Sequence, residues 1–477
     1  MFHWILFAVW ITGLFCIPDL LLLNKRPTAT LAWLWAIVLF PVIGPLFYLA
    51  IGSERVKRRR MNRRRRFRGR QENSVAREHD TKWWRLHSEG KDFDPSVRSF
   101  MGGLSTITQL PVSTIRELEV LRKAAAFYKS LQEDIKSAQI EINLETYIWR
   151  DDEIGKQFLD LLVDAAKRGV TVRVLVDELG SFWLKESYFR PLIEAGGQFS
   201  WCHTLSPLRS RYSFNLRNHR KLQIIDREVA YVGGMNFGRE YAGLNPAYGD
   251  WADVQVRVKG TVIGILQEIF AEDWFFATGC DDIQDAPRVK NVAEEKIFVE
   301  VLRGGPDEPD HPMLRVNLAL IENARKRLWI AAGYFVPGET MQVALQVAAA
   351  RGIDVRLLIS QKSEHPLLVK AGRSYYEALL RQGIRVYEYS VGIEHSKYII
   401  IDDEWVSIGS SNLDERSMRL NFELNLFVHC DKTNRQFVQI FKQTIAESLE
   451  IDLKSFSRRS YLEKLIESAL RPMSPVL

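Results

Sequence analysis

Eighteen residues of this 477-residue chain are written twice, and the duplication constrains its fold more than any other feature. The first copy runs from His219 through Lys221, Asp226 and Gly233 to Asn236, and the second from His395 through Lys397, Asp402 and Gly409 to Asn412. Both read H-x-K-x4-D-x6-G-[GS]-x-N. Recurrence of the His, Lys, Asp, Gly and Asn at identical offsets removes coincidence and outweighs the usual expectation that a lone strand-edge histidine is structural.

Each copy predicts a strand, a turn and a returning strand. Residues 221–225 and 397–401 are apolar or β-branched runs, and 229–232 and 405–408 run back. Alternation along a strand sends His219 and Lys221 to one face and Leu222 and Ile224 to the core, with the same disposition for His395 and Lys397. Two small cationic faces result. Gly233 and Gly409 allow close approach of backbone to a ligand, and Asn236, Asn412 and Ser410 add neutral groups for phosphate oxygens. Asp226 and Asp402, five residues past each Lys on the opposite side of the strand, are expected to brace the motif.

The repetition extends beyond the motif. A strand near 140–144 is matched by one near 328–332. A helix over 155–168 ends at Gly169 and feeds the strand 170–176, as a helix over 340–351 ends at Gly352 and feeds 353–359. Alternating strands and helices with helix-ending glycines describe two α/β units of domain size, covering 112–280 and 298–477 with a polar linker over 281–297. Within each unit an acid opens a strand downstream of the Asn: Asp253 before 254–258, and Glu423 before 424–428. A carboxylate on the far nitrogen of an imidazole fixes its tautomer and stabilises its charged form. The nearest assignment pairs Asp253 with His219 and Glu423 with His395.

The paired motif resembles that of the phospholipase D superfamily. That resemblance implies two homologous αβα sandwich domains forming a pseudo-dimer, with His219, Lys221, Asp226, His395, Lys397 and Asp402 converging on one catalytic site. It also implies a phosphohistidine intermediate, one His as nucleophile and the other as proton carrier, and neither metal nor cofactor. Elementary chemistry agrees, since two imidazoles can supply a nucleophile and an acid, and Lys and Asn side chains can stabilise a phosphoryl transition state. The four cysteines are far apart and lack metal-ligand spacing, so neither a disulfide framework nor a zinc site is expected.

The N-terminal region predicts a membrane anchor. Residues 2–23 and 29–51 are apolar stretches of the roughly 20 residues that a spanning helix needs, so 1–53 reads as a transmembrane helical hairpin. No basic region precedes the first stretch, which argues against a cleaved leader. A connector over 54–111 follows. Residues 54–70 hold eleven Lys or Arg against one Glu, so this run carries +10 of an overall +6 and the remainder of the chain is net −4. Such a flank places the catalytic halves in the cytoplasm, at the inner membrane of a bacterial cell, against anionic lipid. The net negative charge of the remainder argues against a nucleic-acid phosphodiesterase, whose binding groove would be basic.

Across nearly its whole length, through Asn24-Lys-Arg-Pro-Thr, Glu145-Thr-Tyr-Ile-Trp and Ala271-Glu-Asp-Trp274, the chain is similar to the membrane-hairpin type of bacterial cardiolipin synthases. This implies transfer of a phosphatidyl group between two phosphatidylglycerol molecules with release of glycerol. A hydrolytic phospholipase D or another phosphatidyltransferase would use the same residues. Arg209, Arg211, Arg217 and Arg220 are candidate contacts for lipid phosphates. A C-terminal amphipathic helix presents Tyr461, Leu462, Leu465, Ile466, Ala469 and Leu470 on one face, expected to pack on its own domain.

Overall fold

The helix Glu153–Lys167 illustrates how the sequence sets each element. Asp152 caps it by accepting hydrogen bonds from the amides of Ile154 and Gly155 at 3.0 and 2.9 Å. Phe158, Leu159, Leu162 and Ala165 bury its apolar face, and Gly169 ends it at φ +89°, a conformation that glycine adopts at little cost. The chain then enters the strand Thr171–Val176. The second half repeats this with helix Gly338–Ala350, Gly352 at φ +83° and strand Asp354–Ser360.

The computed structural model describes residues 13–22, 27–40, 42–49, 67, 94–202, 216–284, 297–308 and 310–473. Arg209, Arg211, most of the expected linker and the polybasic run apart from Phe67 lie outside them. The chain forms two compact units, Met1–Phe67 and Arg68–Leu477.

The larger unit is mixed α/β and duplicated. In the first half, Glu141–Thr146 pairs in parallel with Thr171–Val176 and antiparallel with Leu222–Ile225, which turns back as Val229–Gly233. In the second half, Arg327–Ala332 pairs in parallel with Asp354–Ser360 and antiparallel with Lys397–Ile401, which turns back as Trp405–Gly409. These strands lie in sheets of seven and nine strands. The sheets are interlocked: Ser113–Ile115, just past the first expected boundary, pairs with Ile297–Gly304 in the second sheet. Leu222, Ile224, Val256, Ile400, Val406 and Leu424 share one buried apolar cluster between the halves.

The two expected spans, 2–23 and 29–51, fall only partly within the described residues. The described helices of the N-terminal unit are Cys16–Leu22, Pro27–Leu39 and Ile43–Phe47, and among the described residues no helix is long and apolar enough to cross a membrane. The segments nevertheless pack together. Asp19, the acid inside the first stretch, accepts a 2.9 Å hydrogen bond from the Tyr48 hydroxyl, and a side chain at Gly44 would strike the Ala36 carbonyl.

The C-terminal helix Tyr461–Leu470 corrects the expectation of core packing for most of its apolar stripe, although Leu470 at its end does pack against the core. Tyr461, Leu462, Leu465 and Ile466 are 80, 64, 51 and 40% exposed. The helix docks through its polar face instead: Glu467 is buried against Arg459 at 3.1 Å, and Lys464 donates to the Ser457 carbonyl at 2.6 Å. With the charges satisfied on the protein side, the apolar stripe faces outward.

Candidate active site

Each motif histidine stands just before its strand, fixed by the residue ahead of it. The Asn218 amide donates to Asp177 Oδ2 at 2.8 Å, and the Glu394 amide to Ser360 Oγ at 3.0 Å. Asp177 and Ser360 sit at the ends of the two equivalent parallel strands. The same segments then pair across the halves. Gly392–Glu394 runs parallel to Asp250–Ala252, and Asn218 is bridged to Phe422. As a result the His395 amide donates to the Ala252 carbonyl at 2.7 Å and the His219 amide to the Phe422 carbonyl at 2.9 Å.

The residues following Ala252 and Phe422 are the two acids, so each serves the opposite half. His395 Nδ1 lies 2.7 Å from Asp253 Oδ2, and His219 Nδ1 lies 3.0 Å from Glu423 Oε2. The within-half pairing expected from sequence is therefore corrected. The cross-half ladder sets the register, and an acid carried on one half faces the imidazole carried on the other.

Burial sets the charge state of the site. It pulls His219 down to about 4, with Glu423 opposing and Lys221 adding to the shift. It pulls His395 down to about 3, with Lys397 adding to the shift. Both rings are neutral at pH 7. Because a carboxylate only accepts, the ring proton lies on Nδ1 and leaves Nε2 as the basic nitrogen. Burial raises Glu423, but His219, Lys221 and the Ser410 hydroxyl outweigh it and hold the carboxyl below its ordinary value. Lys221 is brought down to about 7 by burial and by Lys397, and burial lowers Lys397 too. Both ammonium groups turn onto the carbonyl of their own histidine. The Tyr147 ring lies 4.9 Å from the His219 ring and 5.2 Å from Lys221 Nζ.

The remaining expected residues divide. Ser410 was expected to meet phosphate, but its hydroxyl donates to Glu423 Oε2 at 2.5 Å and accepts from the Leu424 amide. It therefore positions the acid. At the matching place in the first half, a side chain on Gly234 would lie 2.4 Å from Asp253 Oδ1, so the absence of a Cβ makes room for that carboxylate. Asn236 Oδ1 accepts from the Ile148 amide at 3.2 Å, whereas buried Asn412 Oδ1 has no hydrogen-bond partner.

Asp226 and Asp402 are not at the imidazoles. Asp226 accepts from the amides of Gln139, Ile140 and Glu141, and Asp402 from those of Arg325, Lys326 and Arg327. They tie the motif strand to its neighbour at the far end, as bracing residues. Arg220 is fully buried in an ion pair with Asp273, which removes it from the candidate lipid contacts. Arg217 acts on Tyr147 together with Arg416. Arg416, Tyr147, Tyr241 and Trp251 were missed in the sequence, because none belongs to the duplicated string.

A duplicated mixed α/β unit with two buried imidazoles, two lysines and cross-half acids in one site defines the phospholipase D class. Known proteins narrow this further. The family model described as "Cardiolipin synthase, PLD-like domain" matches residues 131–274 and 318–445, and "Phospholipase_D-nuclease N-terminal" matches residues 4–53. The chain is 35% identical to the cardiolipin synthase of Geobacillus kaustophilus, over 95% of this chain and 90% of that one. It is 33% identical to the major cardiolipin synthase ClsA of Bacillus subtilis, over 96% of each. The crystal structure of phosphatidylserine synthase from Haemophilus influenzae aligns with a TM-score of 0.61 at 16% identity, covering 80% of this chain and all of that one, a likeness of fold. The chain belongs to the cardiolipin synthase family of the phospholipase D superfamily.

Proposed function

We propose that the chain transfers a phosphatidyl group from one phosphatidylglycerol to the terminal hydroxyl of another, forming cardiolipin and releasing glycerol. The observation that carries this is the pair of buried neutral imidazoles, each oriented through Nδ1 by an acid of the other half, within family-wide similarity to cardiolipin synthases. Nε2 of His219 attacks phosphorus as the bond to the glycerol oxygen breaks, and His395 gives that oxygen its proton. The arriving phosphodiester anion offsets the repulsion from Lys397 that helps depress His395, so the ring gains a proton as substrate binds. The hydroxyl of the second lipid then returns a proton to His395 and displaces His219. One phosphodiester replaces another, and no external energy source is required.

The reading includes a membrane anchor over 1–53, with the catalytic body on the cytoplasmic side. Leu31, Trp35, Leu39, Ile43, Leu46 and Phe47 of the N-terminal unit are more than half exposed, as lipid-facing residues are. The outward stripe on Tyr461–Leu470 suits contact with the lipid surface.

Purified enzyme in phosphatidylglycerol vesicles tests the reaction. Cardiolipin and glycerol are expected in equal amounts, and neither His219→Ala nor His395→Ala should turn over. Phosphatidic acid as the main product would establish hydrolysis instead, and normal turnover by either variant would defeat the two-imidazole scheme. Cysteines placed at Thr28 and Ser74 test the topology: an impermeant reagent should reach the first and not the second.

A further inference from the structure

The two histidines are dressed differently, and the difference originates in unequal loops. Sixteen residues separate Asn236 from Asp253, but only ten separate Asn412 from Glu423. The shorter loop contains the helix Glu415–Arg419, which places Arg416 with Arg217 and Tyr147 near His219. The longer loop carries Tyr241 and Trp251 over His395. Their rings lie 6.5 and 5.3 Å from the imidazole and 4.9 Å from each other, and Tyr334 approaches to 6.2 Å.

Unused hydrogen-bonding groups collect on this second side. Tyr241 and Trp251 are 1 and 2% exposed, yet the Tyr241 hydroxyl and Trp251 Nε1 have no partner. Asn412 Oδ1 is also unpartnered. It lies 3.3 Å from the position a Gly333 Cβ would occupy, and His395 Cδ2, the carbon bonded to Nε2, lies 3.2 Å from that same position. Glu364, on the loop leading to helix Pro366–Leu380, is near enough to Tyr241, Tyr334 and Lys397 to act on their charges. Burial pushes its carboxyl up to about 7, so near neutral pH it both donates and accepts. Glu240, the other acid here, is taken by Arg150 at 2.6 Å.

Buried polar groups left without partners are costly, and a native site retains them where a ligand completes them. Two neutral donors, a neutral acceptor and a carboxyl that titrates near neutrality do not suit a second phosphate. They suit hydroxyls, each of which donates and accepts, held against aromatic faces that tolerate C–H bonds.

We infer that the His395 side is a polyol subsite in which Tyr241, Trp251, Asn412 and Glu364 hold the free hydroxyls of a glycerol head group. The inference rests on the phosphatidyl transfer proposed above. The subsite is used twice: the donor's glycerol leaves from it after taking a proton from His395, and the second lipid's head group then enters it and returns a proton to the same ring. Occupancy by a polyol rather than water is what favours transfer over hydrolysis.

The test supplies glycerol or 1-propanol as free acceptor to enzyme in phosphatidylglycerol vesicles and measures phosphatidylglycerol re-formation or phosphatidylpropanol formation, alongside cardiolipin. Wild type should strongly prefer glycerol. Tyr241→Phe and Trp251→Phe, each lacking one donor, should lower that preference about five- to tenfold and raise the proportion of phosphatidic acid. A packing defect alone would slow both acceptors equally. Should either variant fail to fold, Glu364→Ala on its partly exposed loop, which removes both the donor and the acceptor, gives the same readout. Cardiolipin production with unchanged acceptor preference in the folded variants would overturn the subsite alone. No transfer by wild type to any acceptor would overturn the reaction beneath it.

Discussion

Replacing Gly234 by Ser would make the two motifs more alike and should nevertheless disable the enzyme. The new Cβ would lie 2.4 Å from Asp253 Oδ1 and 2.8 Å from Oδ2. Relieving that contact requires the carboxylate to retreat by about 1 Å, which stretches its 2.7 Å bond to His395 Nδ1 beyond hydrogen-bonding range. The carboxylate cannot yield cheaply, since it is 1% exposed and also accepts from the Val254 amide at 2.8 Å. Losing a hydrogen bond to a charged group costs about 1.5–3 kcal/mol, so turnover should fall about 10- to 100-fold. Position 234 is not among the residues with positive φ, so the effect is steric and not a backbone penalty. The assay is cardiolipin formation from phosphorus-labelled phosphatidylglycerol, paired with detection of labelled protein after a neutral denaturing quench. Because His395 gives the departing glycerol oxygen its proton, formation of the covalent label should slow together with turnover, although His219 and Glu423 are untouched. Ser410→Ala is the control: Glu423 keeps His219 and Asn421 as partners, and the loss should be only about fivefold. Gly234→Ser with turnover within about twofold of wild type and unaltered melting would refute the reasoning.

Three further outcomes are expected. Asp402→Ala strips one carboxylate from three backbone amides at a turn where Asp402 itself has φ +50°. It should cost about 2–3 kcal/mol in denaturant unfolding, with little change in turnover per folded molecule. For His395, the folded value of about 3 lies below the unfolded value near 6.5, so from pH 6.5 downward the unfolded state binds a proton that the native state refuses. Between about pH 6 and 4, wild type should therefore lose stability relative to His395→Gln by about 1.4 kcal/mol per pH unit. The comparison must be differential, because burial raises Asp177 and Asp414 to about 6 and makes their effect on wild-type stability run the other way. Leu462→Ser combined with Leu465→Ser should leave the melting temperature unchanged and selectively slow turnover on bilayers. Equal loss on a soluble short-chain lipid would show that the stripe is not a membrane contact.

What the sequence made legible was whatever is local or duplicated. The motif strands and the helices ending at Gly169 and Gly352 are fixed by alternation and turn chemistry within a few residues, and the structure places them accordingly. The C-terminal helix was legible as amphipathic, but not in which direction it faces. Its orientation depends on Arg459, outside the helix, neutralising Glu467, and no periodicity within Tyr461–Leu470 encodes that.

The pairing of acids to histidines was beyond sequence reasoning for a related cause. Each half contains one His and one acid, so proximity along the chain favours partners within a half, and the pattern of residues is the same for either pairing. The choice is made by two short parallel contacts, Gly392–Glu394 on Asp250–Ala252 and Asn218 on Phe422, which form only when the halves meet. The exchange has a chemical consequence. Neither half by itself holds an oriented imidazole: the first has His219 without Glu423, and the second has His395 without Asp253. Duplication supplied two copies of each part, but only the contact between copies orients the two rings. Once the partners are shared, the loops that carry the acids are free to diverge. That is where the asymmetry lies, with Arg416 delivered toward His219 and Tyr241 and Trp251 delivered over His395. The same crossing that orients the rings can thus assign them unequal roles, one facing the lipid phosphate and the other the departing and arriving hydroxyl.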